Sequence, residues 1–280
     1  MQPDAEGAAR LHGRTAFSFD VVEAPQRYEF FASSAAVACG AGAIAFTVEP
    51  ELDPLTWEPV GGSAKKLRAY VRRLRRRGVE AVALRPGVPP EPKFRRAADA
   101  LVAAWRRAAP ARAYLLELDP WRRAQEKRYF AVSDPKDSDA LWSLLVAHPV
   151  YGLEGWHLCH LIRHPDAPKG VAELVVARAI ETLGDEGVRY ATFGTVASLR
   201  AVDSRGFGLI SRFALRAGYR LASRAVSHAR AAQFPRKIQP GPWPLRYMVV
   251  FPRRAVASAS LAMLRLAHAF GEGAAPRPGR

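Results

Sequence analysis

The chain has 280 residues, with 42 Lys+Arg against 26 Asp+Glu, a formal net charge of +16. Its 49% hydrophobic and 10% aromatic content excludes wholesale disorder. Two cysteines, Cys39 and Cys159, without a CxxC pair, exclude a disulfide scaffold and a thiolate zinc site, and fit a reducing compartment.

The charge is uneven. Residues 1–60 carry nine acids and three bases, a net of −6, so residues 61–280 carry +22. That asymmetry points to an anionic partner for the later part. The first fourteen residues contain acids and no apolar core, which excludes a signal peptide. The longest apolar runs, such as 35–46, fall short of the roughly 20 residues that cross a bilayer. The expectation is a soluble, basic, cytoplasmic protein.

Residues 1–14 and 271–280 read as disordered ends, rich in Gly, Pro, Ala and charge. Residues 41–48 (AGAIAFTV) predict a buried strand. Residues 63–77 predict a helix with Ser63 as N-cap and Gly78 past its end, since Leu67, Val71 and Leu74 recur at helical spacing. A strand over 79–84, a helix over 92–109 and an alternating strand over 112–118 follow. Strands over 128–133, 141–151 and 155–162 come next, then the loop RHPDAPKG (163–170) and a helix over 171–183. A strand over 190–193 and a helix over 207–217 precede a Pro-rich loop, 234–244. The chain closes with a strand over 247–251 and a helix near 255–270, which carries a stripe suited to packing or to an anionic membrane surface.

From 128 to 193, antiparallel strands, a Pro/Gly loop, an amphipathic helix and a further strand predict the central unit of a GNAT-type acyltransferase fold. In that fold, backbone N–H groups at the helix N-terminus receive an acyl donor's phosphates. The first half reads as an eroded copy. The predicted class is therefore α/β (α+β), a tandem GNAT-like fold with mixed sheets flanked by helices. Its halves are expected at 15–125 and 126–270, the second carrying RHPDAPKG.

At RHPDAPKGVAELVVARAIETLGDEGVRYATFG the sequence resembles the C-terminal catalytic region of bacterial phosphatidylglycerol lysyltransferases and their freestanding relatives. That family shows a signature close to R-x-P-D-A-P-N-G, an acidic residue in an apolar helix, and a strand ending in Gly. The segments 61–80 and 234–250 agree more loosely, so the resemblance spans roughly 61–252. It departs where His160 replaces a carboxylate, where Lys169 replaces the loop Asn, and where Pro244 replaces the Glu of W-E-P-R-Y. The family's membrane-spanning region has no counterpart here, as in its freestanding members.

The resemblance implies transfer of an aminoacyl group from aminoacyl-tRNA to a lipid hydroxyl, phosphatidylglycerol-like or other, at the cytoplasmic membrane surface. No cofactor is expected beyond aminoacyl-tRNA as co-substrate. In the implied roles, Arg163 and Lys237 stabilise charge, Asp166 holds the α-ammonium, and His160 is a general base. Lys169, Gly170, Glu173, Thr195, Ser198, Arg246 and Tyr247 line the substrate. Lys65, Lys66, Arg68, Arg72, Arg73 and Arg76 belong to an acid-free basic run suited to tRNA or headgroup phosphates, without the aromatic interleaving that base reading needs. Sequence-specific DNA is therefore not an expected partner.

No metal is expected, because strand alternation puts His157 and His160 on opposite faces. Two alternatives stay open. One is an acyltransferase using acyl-CoA or a carrier-bound acyl chain. The other is a non-catalytic relative that binds anionic membrane or RNA through its basic face.

Overall fold

The computed structural model describes residues 16–18, 40–108, 120–197, 203–209, 212–213, 233–238 and 240–252. The strands are β1 (Ala16–Ser18), β2 (Gly42–Val48), β3 (Glu51–Leu52), β4 (Val82–Ala83), β5 (Arg128–Asp134), β6 (Asp137–Val150), β7 (Gly155–Arg163), β8 (Ala191–Thr192), β9 (Val196–Ala197), β10 (Asp203–Arg205) and β11 (Leu245–Phe251). The helices are α1 (Lys65–Arg75), α2 (Pro92–Ala108), α3 (Val171–Asp185) and α4 (Gln233–Ile238).

These elements form two compact units that interleave along the chain. The first takes the described residues of Met1–Glu49, Thr195–Ala232 and Trp243–Ala269; the second takes those of Pro50–Gly194 and Gln233–Pro242. In the first unit the strand order is β1-β11-β2-β10, with β9 also on β2, all pairs antiparallel. Ala43, Ala45 and Tyr247 make its buried cluster. Small residues suit β2 because a Cβ at Gly42 would lie 2.2 Å from the Phe207 ring.

The second unit is a sheet in the order β3-β8-β7-β6-β5-β4. It is antiparallel except where β7 runs parallel to β8. Its two faces are separate cores. Phe130, Val132, Leu145, Ala147 and Leu158 pack under α3 and α1. On the opposite face, Tyr129, Ala131, Leu144, Val146 and Ile162 pack under α2. Alternation along β5 and β6 sends neighbours to opposite sides, which is how one sheet serves two helical layers.

α3 is buried nearly all round, through Val171, Leu174, Val175, Val176, Ala179, Ile180 and Leu183. Each large apolar side chain there contributes about 1.5–3 kcal/mol. Its far end is clamped as well. Arg128 makes two bonds to Glu186, at 2.6 and 2.7 Å, and its guanidinium lies over the Phe130 and Trp156 rings.

Three expectations shift. The helix over 63–77 is shorter, and its N-cap is Ala64 rather than Ser63, with no side-chain cap bond. Gly78 does follow its end at φ +72°. The loop expected over 234–244 holds the helical turn α4; Pro235 is tolerated in a first turn, where the N–H groups have no intrahelical acceptor. The strand over 112–118, most of the helix over 207–217 and the terminal helix lie outside the described residues.

Candidate functional site

The motif loop leaves β7 and enters α3 through Gly170. Gly170 sits at φ +102°, and a Cβ there would lie 2.7 Å from Tyr70 Cβ, so glycine is required twice over. Arg163 donates to the carbonyls of Ala167 and Pro165, tying the loop back onto the strand end. The Asp166 N–H donates to His164 Nδ1 at 3.3 Å. This leaves the Asp166 carboxylate 92% exposed, 3.8 Å from that imidazole. An exposed acid on a braced loop can receive a cationic group.

Glu173, in the first turn of α3, is 6% exposed and meets Lys237 Nζ at 3.2 Å. A carboxylate is favourable at a helix N-terminus. Lys237 also lies 6.0 Å from the centre of the Phe234 ring. Thus α4 is pinned beside the motif helix, and Lys237 keeps half of its side chain in solvent.

The basic helix joins the same surface. α1 buries Leu67 and Leu74, and packs on α3. Its polar side reaches the motif directly: Arg73 Nη2 donates to the Lys169 carbonyl at 2.7 Å, and its guanidinium stands over Tyr70. Arg75 makes two bonds to Glu181, at 3.0 and 2.9 Å, and Arg68 donates to the Pro59 carbonyl at 2.6 Å. Lys65, Lys66, Arg72 and Arg76 are exposed, with no ion-pair partner among the described residues. The Lys169 side chain is exposed too.

The remaining expected residues lie in the first unit, outside the described residues, or elsewhere on the sheet. Thr195 is exposed in the first unit, and Ser198 lies outside the described residues. Arg246 and Tyr247 belong to the first unit, where Arg246 Nε donates to the buried Glu49 carboxylate.

His160 also stands apart. It pairs across β6 with Val146, on the α2 face, while the motif helix covers the other face. The register shift between Val146 and Ala147 makes Cys159 an extra residue in β7. Such a bulge resets the alternation. His157, opposite His148, and His160 therefore share one face, and the opposite-face argument drawn from the sequence fails.

Burial, helped by Lys127 and His157, pushes the His148 pKa down to about 4. Burial, then His148, Lys127 and His157, brings His160 to about 4. Burial pushes the Cys159 thiol up to about 11, against the opposing pull of Lys127.

Sequence reasoning missed this cluster, and it missed a pocket of about 420 Å³ lined by Arg122, Arg123, Glu126, Lys127, His148 and Tyr151. Residue spacing held no signal for either, since the cluster depends on the bulge in β7 and the pocket brings residues 122–127 against 148–151.

The family model described as phosphatidylglycerol lysyltransferase, C-terminal, matches residues 36–240. The match begins before residue 61, inside the acid-rich stretch, and ends before Arg246. Two solved structures are similar. One is the C-terminal domain of a protein described as a putative lysylphosphatidylglycerol synthetase from Agrobacterium fabrum. It has a TM-score of 0.64 and 16% identity, over 91% of this chain and 73% of that one. The other, L-PGS from Bacillus licheniformis, has the same score and identity over 92% and 74%. At that identity the likeness establishes the fold, which is GNAT-like. No curated protein matches the chain.

Proposed function

The chain belongs to the phosphatidylglycerol lysyltransferase C-terminal family, a family of acyltransferases, and from that premise we propose that it moves an aminoacyl group from aminoacyl-tRNA to a lipid hydroxyl. The acceptor is an anionic phospholipid, phosphatidylglycerol-like, at the cytoplasmic membrane surface. The observation that carries this reading is the bond from Arg73 to the Lys169 carbonyl. It fixes α1, with exposed Lys65, Lys66 and Arg72 on it and Arg76 just past its end, against the motif loop, so phosphates bound there bring their covalent neighbours to that loop.

An aminoacyl ester is already activated, so the protein's task is positioning and relief of developing charge. Asp166, exposed on the braced loop, receives the α-ammonium. Lys237, half exposed beside Glu173, faces the oxyanion that forms as the acceptor hydroxyl attacks. Arg163 acts by holding the loop through the Ala167 and Pro165 carbonyls. His160 is on the other face of the sheet, so in this scheme the proton passes from the attacking hydroxyl to the terminal ribose oxygen of the tRNA, which leaves as a hydroxyl when its ester bond breaks. No cofactor enters this scheme.

Lys65, Lys66, Arg72 and Arg76 hold tRNA phosphate by charge alone, which makes binding steeply salt-dependent. The acyl-CoA alternative is disfavoured by Glu173, whose buried carboxylate occupies the helix turn where donor phosphates would sit. Among the described residues no helix is long and apolar enough to cross a membrane, so docking on the lipid surface is peripheral in this reading. Lipids extracted from cells with and without the chain, compared by mass spectrometry, test the proposal. An aminoacylated phospholipid present only with the chain supports it. Identical lipid profiles, together with failure of the purified chain to deacylate charged tRNA, overturn it.

A further inference from the structure

We propose that His148, Cys159 and His160 form a site for a borderline-soft divalent metal of the zinc class, on the sheet face away from the motif loop. One ligand atom from each residue can be chosen so that all three lie within 4.8 Å of one another. Cys159 Sγ is 3.5 Å from His160 Nδ1, and the two imidazoles meet edge to face with centroids 5.1 Å apart. In a tetrahedral zinc site, with metal–nitrogen near 2.0–2.1 Å and metal–sulfur near 2.3 Å, neighbouring ligand atoms are about 3.3–3.6 Å apart. The thiol and imidazole already stand at that separation, and a His148 ring nitrogen lies within 4.8 Å of both.

Two independent observations point to a ligand. The first is backbone. Cys159 and His160 are consecutive, and regular strand geometry would send them to opposite faces; the bulge in β7 turns both toward His148 on β6. The second is an orphan. His148 Nε2 is buried and has no hydrogen-bond partner among the described residues, although buried polar atoms are nearly always satisfied. A metal ion satisfies it.

The donor set is a thiol and two imidazoles, the mixture that selects zinc, cobalt and copper over magnesium or calcium. It differs from the all-thiolate centre that two separated cysteines exclude. Three protein ligands leave one position open. His148 also lines the pocket of about 420 Å³ beside the cluster. The other walls of the pocket include Arg122, Arg123 and Lys127, so water or a small anion suits it as the fourth ligand. Bound there, the metal cross-links β6 to β7 across the bulge and holds the hairpin that ends at the motif loop.

The test is titration of the purified, chelator-treated full chain with Co²⁺. The expected result is one equivalent bound, with near-ultraviolet thiolate-to-cobalt charge transfer and the visible bands of four-coordinate cobalt, bleached by Zn²⁺. Cys159→Ser removes the charge transfer, and His148→Ala removes binding. In the unaltered chain, Zn²⁺ slows alkylation of Cys159 and leaves Cys39 unaffected, a readout that needs no variant to fold. A spectrum no different from free cobalt overturns the proposal. So does charge transfer that survives Cys159→Ser, or alkylation of Cys159 at the same rate with and without Zn²⁺.

Discussion

The two faces of the second unit's sheet are made by the same strands, yet they gather different polar groups. On the α3 face, cations are anchored: Arg128 to Glu186, Lys237 to Glu173, Arg163 and Arg73 to loop carbonyls. On the α2 face, His148, Cys159 and His160 crowd together, and His148 Nε2 has no partner among the described residues. A face whose charges are anchored can hold a loop rigid for an exposed substrate. A face where a thiol and two imidazoles cluster, one ring nitrogen without a partner among the described residues, is suited to an ion. In the two proposals, the difference separates a site for a large anionic substrate from a site for a metal.

The anchored face can be broken at its tightest point. Gly170→Val combines positive-φ strain with a clash on Tyr70, and should cost about 3–5 kcal/mol in chemical denaturation. A loss below about 1 kcal/mol would mean that the loop is not seated on α1 as described. Glu186→Ala leaves Arg128, itself 5% exposed, without its carboxylate, and should cost about 2–3 kcal/mol; Glu186 is partly in solvent, which keeps the loss below that of a fully buried pair.

A third change sharpens the comparison by leaving the fold alone. Replacing Lys65, Lys66, Arg72 and Arg76 together with Gln should keep stability within about 0.5 kcal/mol per site. It should also lower the slope of log affinity against log salt for tRNA by roughly one for each phosphate no longer neutralised. An unchanged salt slope would remove α1 from the proposed tRNA surface. The smallest effect is expected from Arg75→Ala. Its pair with Glu181 is half exposed and should be worth less than about 0.5 kcal/mol in a double-mutant cycle.

Much of the α3 face was legible in the sequence. Leu67, Val71 and Leu74 marked the buried stripe of α1, and the Gly of RHPDAPKG marked the entry to α3. These signals are local and periodic, so spacing reports them. The anchoring bonds were not legible, because Arg73 meets Lys169, and Glu173 meets Lys237, across separations that no period encodes.

The α2 face was misread for a definite reason. The alternation rule assumes an unbroken ladder, and no Gly or Pro announces the bulge at Cys159. One extra residue put His160 on the face of His157, across the sheet from α3. The turn at α4 was hidden by Pro235 and Pro240, which read as loop residues although a proline fits a first helical turn.

Aminoacyl transfer is tested most directly with the purified chain, tRNA charged with a mixture of radiolabelled amino acids, and phosphatidylglycerol vesicles. The label should move from tRNA into the organic phase, and Asp166→Asn should reduce that transfer about 100-fold while leaving stability unchanged. Retention of all label on tRNA, or loss to water at the same rate with and without vesicles, would contradict lipid aminoacylation by this chain.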